Sequence, residues 1–136
     1  MSSLTDAQVG QELPPLVVHS VDAEKMKLMA ALLRDPNPIH FDASSVRDLG
    51  YGDRVINQGP SNLSYLLTMV TRWSGGVATL RSTAIRFLGN VFAGDRVECH
   101  GRVLAVDHDS ALITLEVDAT VGERRVLHGT VDVSPR

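Results

Sequence analysis

The run Asp35-Pro36-Asn37-Pro38-Ile39-His40 sets a carboxylate and an imidazole at the two ends of a loop that carries two prolines. Side chains of these types can take a proton from water and hand one to a neighbouring atom, because partial burial brings their pKa values towards neutrality. A reaction that uses both is addition of water to a carbon–carbon double bond next to a carbonyl, or its reversal. A water must be positioned and deprotonated, the adjacent carbon protonated, and the developing enolate oxygen stabilised. The prolines restrict the loop, so Asp35 and His40 are held in place. Asn37 can bond back to the loop backbone and brace the turn. The enolate oxygen calls for backbone N–H groups, and Gly59 is suited to supply one. It opens a hydrophobic helix, where the dipole is positive, and it has no Cβ to obstruct a substrate oxygen. Pro60 has no N–H, which leaves Ser61 as the helper.

These residues need elements to position them. Residues 1–14 read as an N-terminal arm on a single domain spanning 1–136, and Leu16 to Val21 is a short β-prone run. A helix follows, capped by Ser20 or Asp22, with Met26, Met29, Leu32 and Leu33 as its apolar stripe. Pro36 stops that helix and pushes Asp35 out of the α region. Ser44 to Leu49 forms one or two helical turns ended by Gly50, and Tyr51 to Gln58 is a connection. From Pro60 to about Trp73 the apolar residues point in nearly every direction, with Gly59 as cap and Pro60 at the first helical position. A helix apolar all round is a buried helix, and in a chain of this length something must wrap it.

The remainder supplies the wrapper. Val77 to Leu88 reads as a strand. Val97, Cys99, Val103 and Ala105 alternate with Glu98, His100, Arg102 and Leu104; Ile113, Leu115, Val117 and Ala119 alternate with polar residues, and so do Leu127, Val131 and Val133. Period-two alternation buries one face of an antiparallel sheet and wets the other. The short links at 107–110 and 122–124 suit hairpins. The fold class is α+β: a curved antiparallel sheet of about five strands around one long central helix. An exposed strand edge on such a sheet is a liability that dimerisation covers.

The loop motif, followed by a glycine that opens a hydrophobic helix, resembles the MaoC-like dehydratases, the (R)-specific enoyl-CoA hydratase group of the hot-dog fold. The later run Arg86-Phe87-Leu88-Gly89-Asn90-Val91-Phe92-Ala93-Gly94-Asp95 is similar to that family's strand and Gly-Asp turn. The resemblance covers roughly Gly10 to the end. It implies that Asp35 and His40 activate the water and handle the protons, that the Gly59 N–H binds the thioester oxygen, and that Asn37 supports the loop. Which of Asp35 and His40 is base and which acid stays open, since two coupled groups titrate as a pair. The implied reaction is reversible hydration of a trans-2-enoyl thioester, carried on coenzyme A or an acyl carrier protein, to an (R)-3-hydroxyacyl thioester. No metal or redox cofactor is expected. The implied active unit is a dimer of identical chains or of paralogues. The chain departs from the family in having Arg34 where a glycine is common before the aspartate. Gln58-Gly59-Pro60 stands where His-Gly-Met is common. A family serine on the central helix has only Ser64 and Thr68 as candidates.

Composition bounds the alternatives. A net charge of −3 and a pI near 5.9 give no footprint for nucleic acid. No apolar run is long enough to span a membrane. The single Cys99 and the absence of a signal-like N-terminus fit a reducing cytoplasm. Cys99 falls on the apolar phase of its strand and reads as a core thiol. His19, His100, His108 and His128 lack metal-ligand spacing. Trp73 and Tyr65 read as packing residues. Arg72, Arg81 and Arg86 could meet coenzyme A phosphates, though scattered surface arginines are the commoner case. Two other functions fit the fold: a hot-dog thioesterase, and a non-catalytic acyl-thioester-binding subunit of a heteromeric complex.

Overall fold

The computed structural model describes residues 4–135. Five strands, β1 (Leu16–Val18), β2 (Leu80–Phe87), β3 (Val97–Asp107), β4 (Leu112–Val121) and β5 (Arg124–Val133), form one antiparallel sheet in the order β1-β3-β4-β5-β2. Three helices, α1 (Ala23–Leu33), α2 (Ala43–Asp48) and α3 (Gly59–Ser74), complete it. The α+β reading and the strand count hold, and the sheet curls around α3 as the alternation requires. Register shifts near Ser82, Leu104 and Thr120 are bulges that help it curl.

The core lies between α3 and the sheet. Leu66, Met69 and Val70 of α3 meet Cys99, Leu115 and Val131, all essentially buried. Each such side chain contributes about 1.5–3 kcal/mol by leaving water. Burial raises the Cys99 thiol to about 12, so it stays a protonated core group, as its strand phase implied.

Four sequence readings need correction. First, α3 is only half wrapped: Pro60, Ser64 and Arg72 are exposed along its outer side, because α3 packs on β1, β3, β4 and β5 and none of the described residues covers its back. Second, Gln58 is the N-cap of α3, so Gly59 and Pro60 are its first two helical residues. Third, the stripe on α1 is turned. Met26 and Ala30 are buried, whereas Leu32 is 70% exposed because it shares the outer side with Leu28, and Leu33 overhangs the end. Fourth, residues 77–79 form a 3-10 turn before β2 begins.

The N-terminal segment, read as an arm, is tied to the body. The N–H groups of Gly10 and Leu13 donate to the carbonyls of Val103 and Gly101, and Val103 donates back to Gln11, each at 2.8 Å. Together with β1 this covers one edge of the sheet. The other edge, β2, is uncovered, with Arg81 to Ala84, Arg86 and Phe87 exposed. Met1–Ser3 and Arg136 lie outside the described residues.

β2 is set by a backbone contact. It pairs with β5 through Ile85 and Gly129, and a Cβ on Gly129 would sit on the main-chain carbonyl of Ala84. Gly129→Ala should therefore force the strands apart and cost about 3 kcal/mol or more, read as a drop in the urea unfolding midpoint. An unchanged midpoint would mean that β2 is not held at this spacing.

Candidate active site

The loop after α1 is assembled by its own backbone. Asp22 caps the start of α1 by accepting from the Glu24 N–H at 2.8 Å. At the other end Arg34 turns into the left-handed region (φ 52°), and its N–H bonds back to the last turn. The Asp35 N–H then closes on the Ala30 carbonyl at 2.9 Å, the pairing of a Schellman-type stop. This reversal, ahead of Pro36, delivers Asp35 out of the helix.

Both carboxylate oxygens of Asp35 are engaged. Oδ1 accepts from the Asn37 N–H at 3.0 Å, and Oδ2 lies 3.3 Å from His40 Nε2. Asn37 Oδ1 in turn accepts from the Ile39 N–H at 3.3 Å and caps a 3-10 turn, Pro38–His40. The structure thus brings Asp35 and His40 together and has Asn37 brace the turn between them. His40 is 7% exposed, and about a third of the Asp35 side chain is open.

His40 Nδ1 lies 2.6 Å from the Ile56 carbonyl oxygen. A carbonyl only accepts, so Nδ1 carries the hydrogen. In the neutral ring the lone pair of Nε2 then faces the Asp35 carboxylate. Two acceptors at 3.3 Å need a proton between them or a donor such as water beside them.

Ile56 is also bonded to the loop through its own N–H, which donates to the Ile39 carbonyl at 2.8 Å. Three residues on, Gly59 opens α3. The N-cap Gln58 makes no side-chain cap bond. Its Nε2 instead donates to the Met26 carbonyl of α1 at 2.8 Å. The first-turn N–H groups of Gly59 and Ser61 therefore have no capping side chain, and uncapped groups at a helix N-terminus favour a negative oxygen. A Cβ on Gly59 would stand 3.2 Å from the Phe87 ring.

An open groove of about 600 Å³ borders Asp35, lined by Ala30, Ala31, Arg34, Pro36, Phe41 and Lys27. A smaller cleft of about 220 Å³ lies elsewhere, among His100, Arg102, Glu116, Asp118 and other residues of the sheet's charged face. There Arg102 bonds to Glu116 and holds its carboxyl below the ordinary value. Among the described residues no group of His, Cys, Asp or Glu side chains could hold a metal ion. None of their helices is long and apolar enough to cross a membrane.

Other residues singled out in the sequence are not part of this constellation. Ser64 Oγ and Thr68 Oγ1 turn back to the helix carbonyls of Ser61 and Ser64. Arg81 is occupied by the carbonyls of Ala78, Leu80 and Pro135. Residues not anticipated are Gln58, the Ile56 carbonyl, and a buried trio in which Asn57 Nδ2 donates to Asn62 Oδ1 (2.8 Å) and to Tyr65 Oη (3.1 Å). A glutamine at a helix N-cap, where Ser, Thr, Asp or Asn is usual, was the available signal for the first. A main-chain carbonyl leaves none.

A sheet curled around one helix, with an Asp–His pair on the loop stitched to that helix's entry, defines a hot-dog domain. Residues 5–126 match the family model described as MaoC like domain, and the chain belongs to this MaoC-like dehydratase family. It is similar to a solved ChsH1-ChsH2 complex from Mycobacterium tuberculosis, with TM-score 0.83, 26% identity and 95% and 98% of the two chains covered. The (R)-hydratase from A. caviae involved in PHA biosynthesis shares the fold, with TM-score 0.86, 24% identity and 96% and 98% covered. A UPF0336 protein of Streptomyces avermitilis is 35% identical over 51 residues, which are 38% of this chain and only 34% of that protein's length.

The left-handed Arg34 gives a test of the loop geometry. A side chain at positive φ costs about 1 kcal/mol relative to glycine. Arg34→Gly should raise stability by up to about 1 kcal/mol, seen as a higher thermal midpoint. A lowered midpoint would count against the left-handed reversal.

Proposed function

We propose that the chain is a hydratase that interconverts a trans-2-enoyl thioester and the corresponding (R)-3-hydroxyacyl thioester, with coenzyme A or an acyl carrier protein as the thiol. The observation that carries this reading is the Asp35–His40 pair, 3.3 Å apart with its tautomer set by Ile56, tied to a helix entry whose Gly59 N–H has no capping side chain. In the forward direction the pair takes a proton from water as its oxygen bonds to C3 of the enoyl group. The C2–C3 π electrons move onto the thioester oxygen, and the proton is returned to C2 from the same pair. Gly59, with Ser61 beside it, donates its N–H to the enolate oxygen. Such a donor in a water-poor site lowers the barrier by a few kcal/mol. Nothing in this scheme calls for a metal or a redox cofactor.

The working unit of this reading is a dimer, of two copies or with a paralogous chain. The uncovered β2 edge and the exposed back of α3 support it, and the ChsH1-ChsH2 structure is a complex of two kinds of chain. Size-exclusion chromatography with light scattering should return about twice the 14.7 kDa chain mass. A persistent monomer alone in solution would point to a missing paralogue.

The direct test is a panel of trans-2-enoyl-CoA thioesters, from crotonyl to long-chain and ring-bearing, followed by loss of the conjugated absorbance. Asp35→Asn and His40→Ala should each lower turnover by about 10²- to 10⁴-fold with the fold intact. Gly59→Ala should fold, since the half-exposed Phe87 ring can yield, yet lose activity because a methyl then flanks the oxygen's approach. Wild-type rates in Asp35→Asn would rule out the mechanism.

A further inference from the structure

We propose that Gln58 is a positioning residue of this site: its side-chain amide sets the separation between the Asp35–His40 pair and the Gly59 N–H. The inference rests on the hydratase reading above and goes beyond it, since Gln58 touches no reacting atom in that scheme.

Gln58 is 1% exposed, a rare placement for a glutamine. Only half of its amide is used. Nε2 donates to the Met26 carbonyl at 2.8 Å, while Oε1 is buried without a partner among the described residues. A buried acceptor left unpaired is destabilising, and an apolar side chain of similar size would avoid it. Stability alone therefore does not account for glutamine here.

What the donor does is a matter of connectivity. Met26 lies on the buried side of α1, whose last turn reverses at Arg34 and hands the chain to Asp35. Gln58 supplies the carbonyl half of the peptide bond whose N–H belongs to Gly59, so its torsions aim that N–H. A bond from this side chain to α1 ties the aim of the donor to the helix that carries the carboxylate. The other ties to the loop, His40 Nδ1 to the Ile56 carbonyl and the Ile56 N–H to the Ile39 carbonyl, lie two residues earlier and hold the loop itself rather than α1. With all of them in place the water-activating pair and the oxyanion donor move as one body. With the Gln58 amide removed, Ile56 stays fixed, but the peptide between Gln58 and Gly59 loses its bond to α1 and can turn relative to the pair.

Gln58→Leu and Gln58→Glu test this on the intact protein. Gln58→Leu should unfold at or above the wild-type midpoint, because the unpaired oxygen is gone. It should nevertheless lower kcat by about 10- to 100-fold while KM stays within about twofold. Amide exchange at Asn37, Ile39 and His40, whose N–H groups close the loop, should quicken in the same variant with no substrate present. Gln58→Glu should respond to pH. Its protonated carboxyl can donate to the Met26 carbonyl and its carboxylate cannot, so its kcat relative to wild type should rise as pH falls, while that of Gln58→Leu stays low.

An unchanged kcat and unchanged exchange in Gln58→Leu would overturn the proposal. So would a lower midpoint with full activity per folded molecule, or a flat pH ratio for Gln58→Glu. If Gln58→Leu does not fold, the Glu variant decides. If wild type turns over no thioester, the hydratase reading falls, and the exchange measurement alone decides whether Gln58 couples the two halves.

Discussion

The hydrogen bond between His40 Nδ1 and the Ile56 carbonyl is the constraint on which the rest of the site depends. It commits one ring nitrogen to the backbone and so leaves Nε2 as the nitrogen that faces Asp35. It also helps to join two stretches of chain that are distant in sequence, the loop after α1 and the approach to α3. A bond of this kind, buried and made to a charge-capable ring, is stronger than one at the surface. Its geometry is reinforced by the reciprocal Ile56–Ile39 backbone bond.

The sheet acts as the platform. Its inner face is apolar and closely packed, and its outer face carries paired charges such as Arg102–Glu116 and Arg125–Asp118. Those outer pairs are exposed and screened, and add little stability. The apolar contacts of α3 do most of the holding. The loop and the helix entry are thereby attached to a rigid body, and residues such as Ile56 and Gln58 are themselves buried against it.

Much of this was legible in the residues. Alternation along β3, β4 and β5 predicted which side chains turn inward as far as Val103, Ala119 and Val133, because a strand buried on one face must alternate; it failed at Ala105, which a bulge after Val103 turns outward. The proline-rich loop announced Asp35, Asn37 and His40 because two prolines leave a short loop few conformations. Two of the misreadings share one cause. On α1, Leu32 and Leu33 are apolar but exposed, and α3 reads as buried all round although its back is open. In both cases apolar character was taken as burial, whereas burial depends on what lies opposite, and among the described residues nothing does. The Ile56 carbonyl was invisible for another reason, since a main-chain atom leaves no mark on the sequence; Gln58 left only an unusual residue before the helix, and its partner Met26 is distant in sequence.

The spacing of β2 against β5 carries a consequence of a different kind. That strand is located by main chain lying against main chain at Gly129, and six of its eight side chains face solvent. Folding of the chain therefore places almost no demand on what those side chains are. An uncovered edge whose surface the fold does not read is free to drift. Two gene copies starting from the same ancestor could change it in opposite directions, towards matching themselves or towards matching each other. Neither copy would have to alter the sheet or the helix behind it, and only at Phe87, whose ring lies against Gly59, would such drift reach the candidate site.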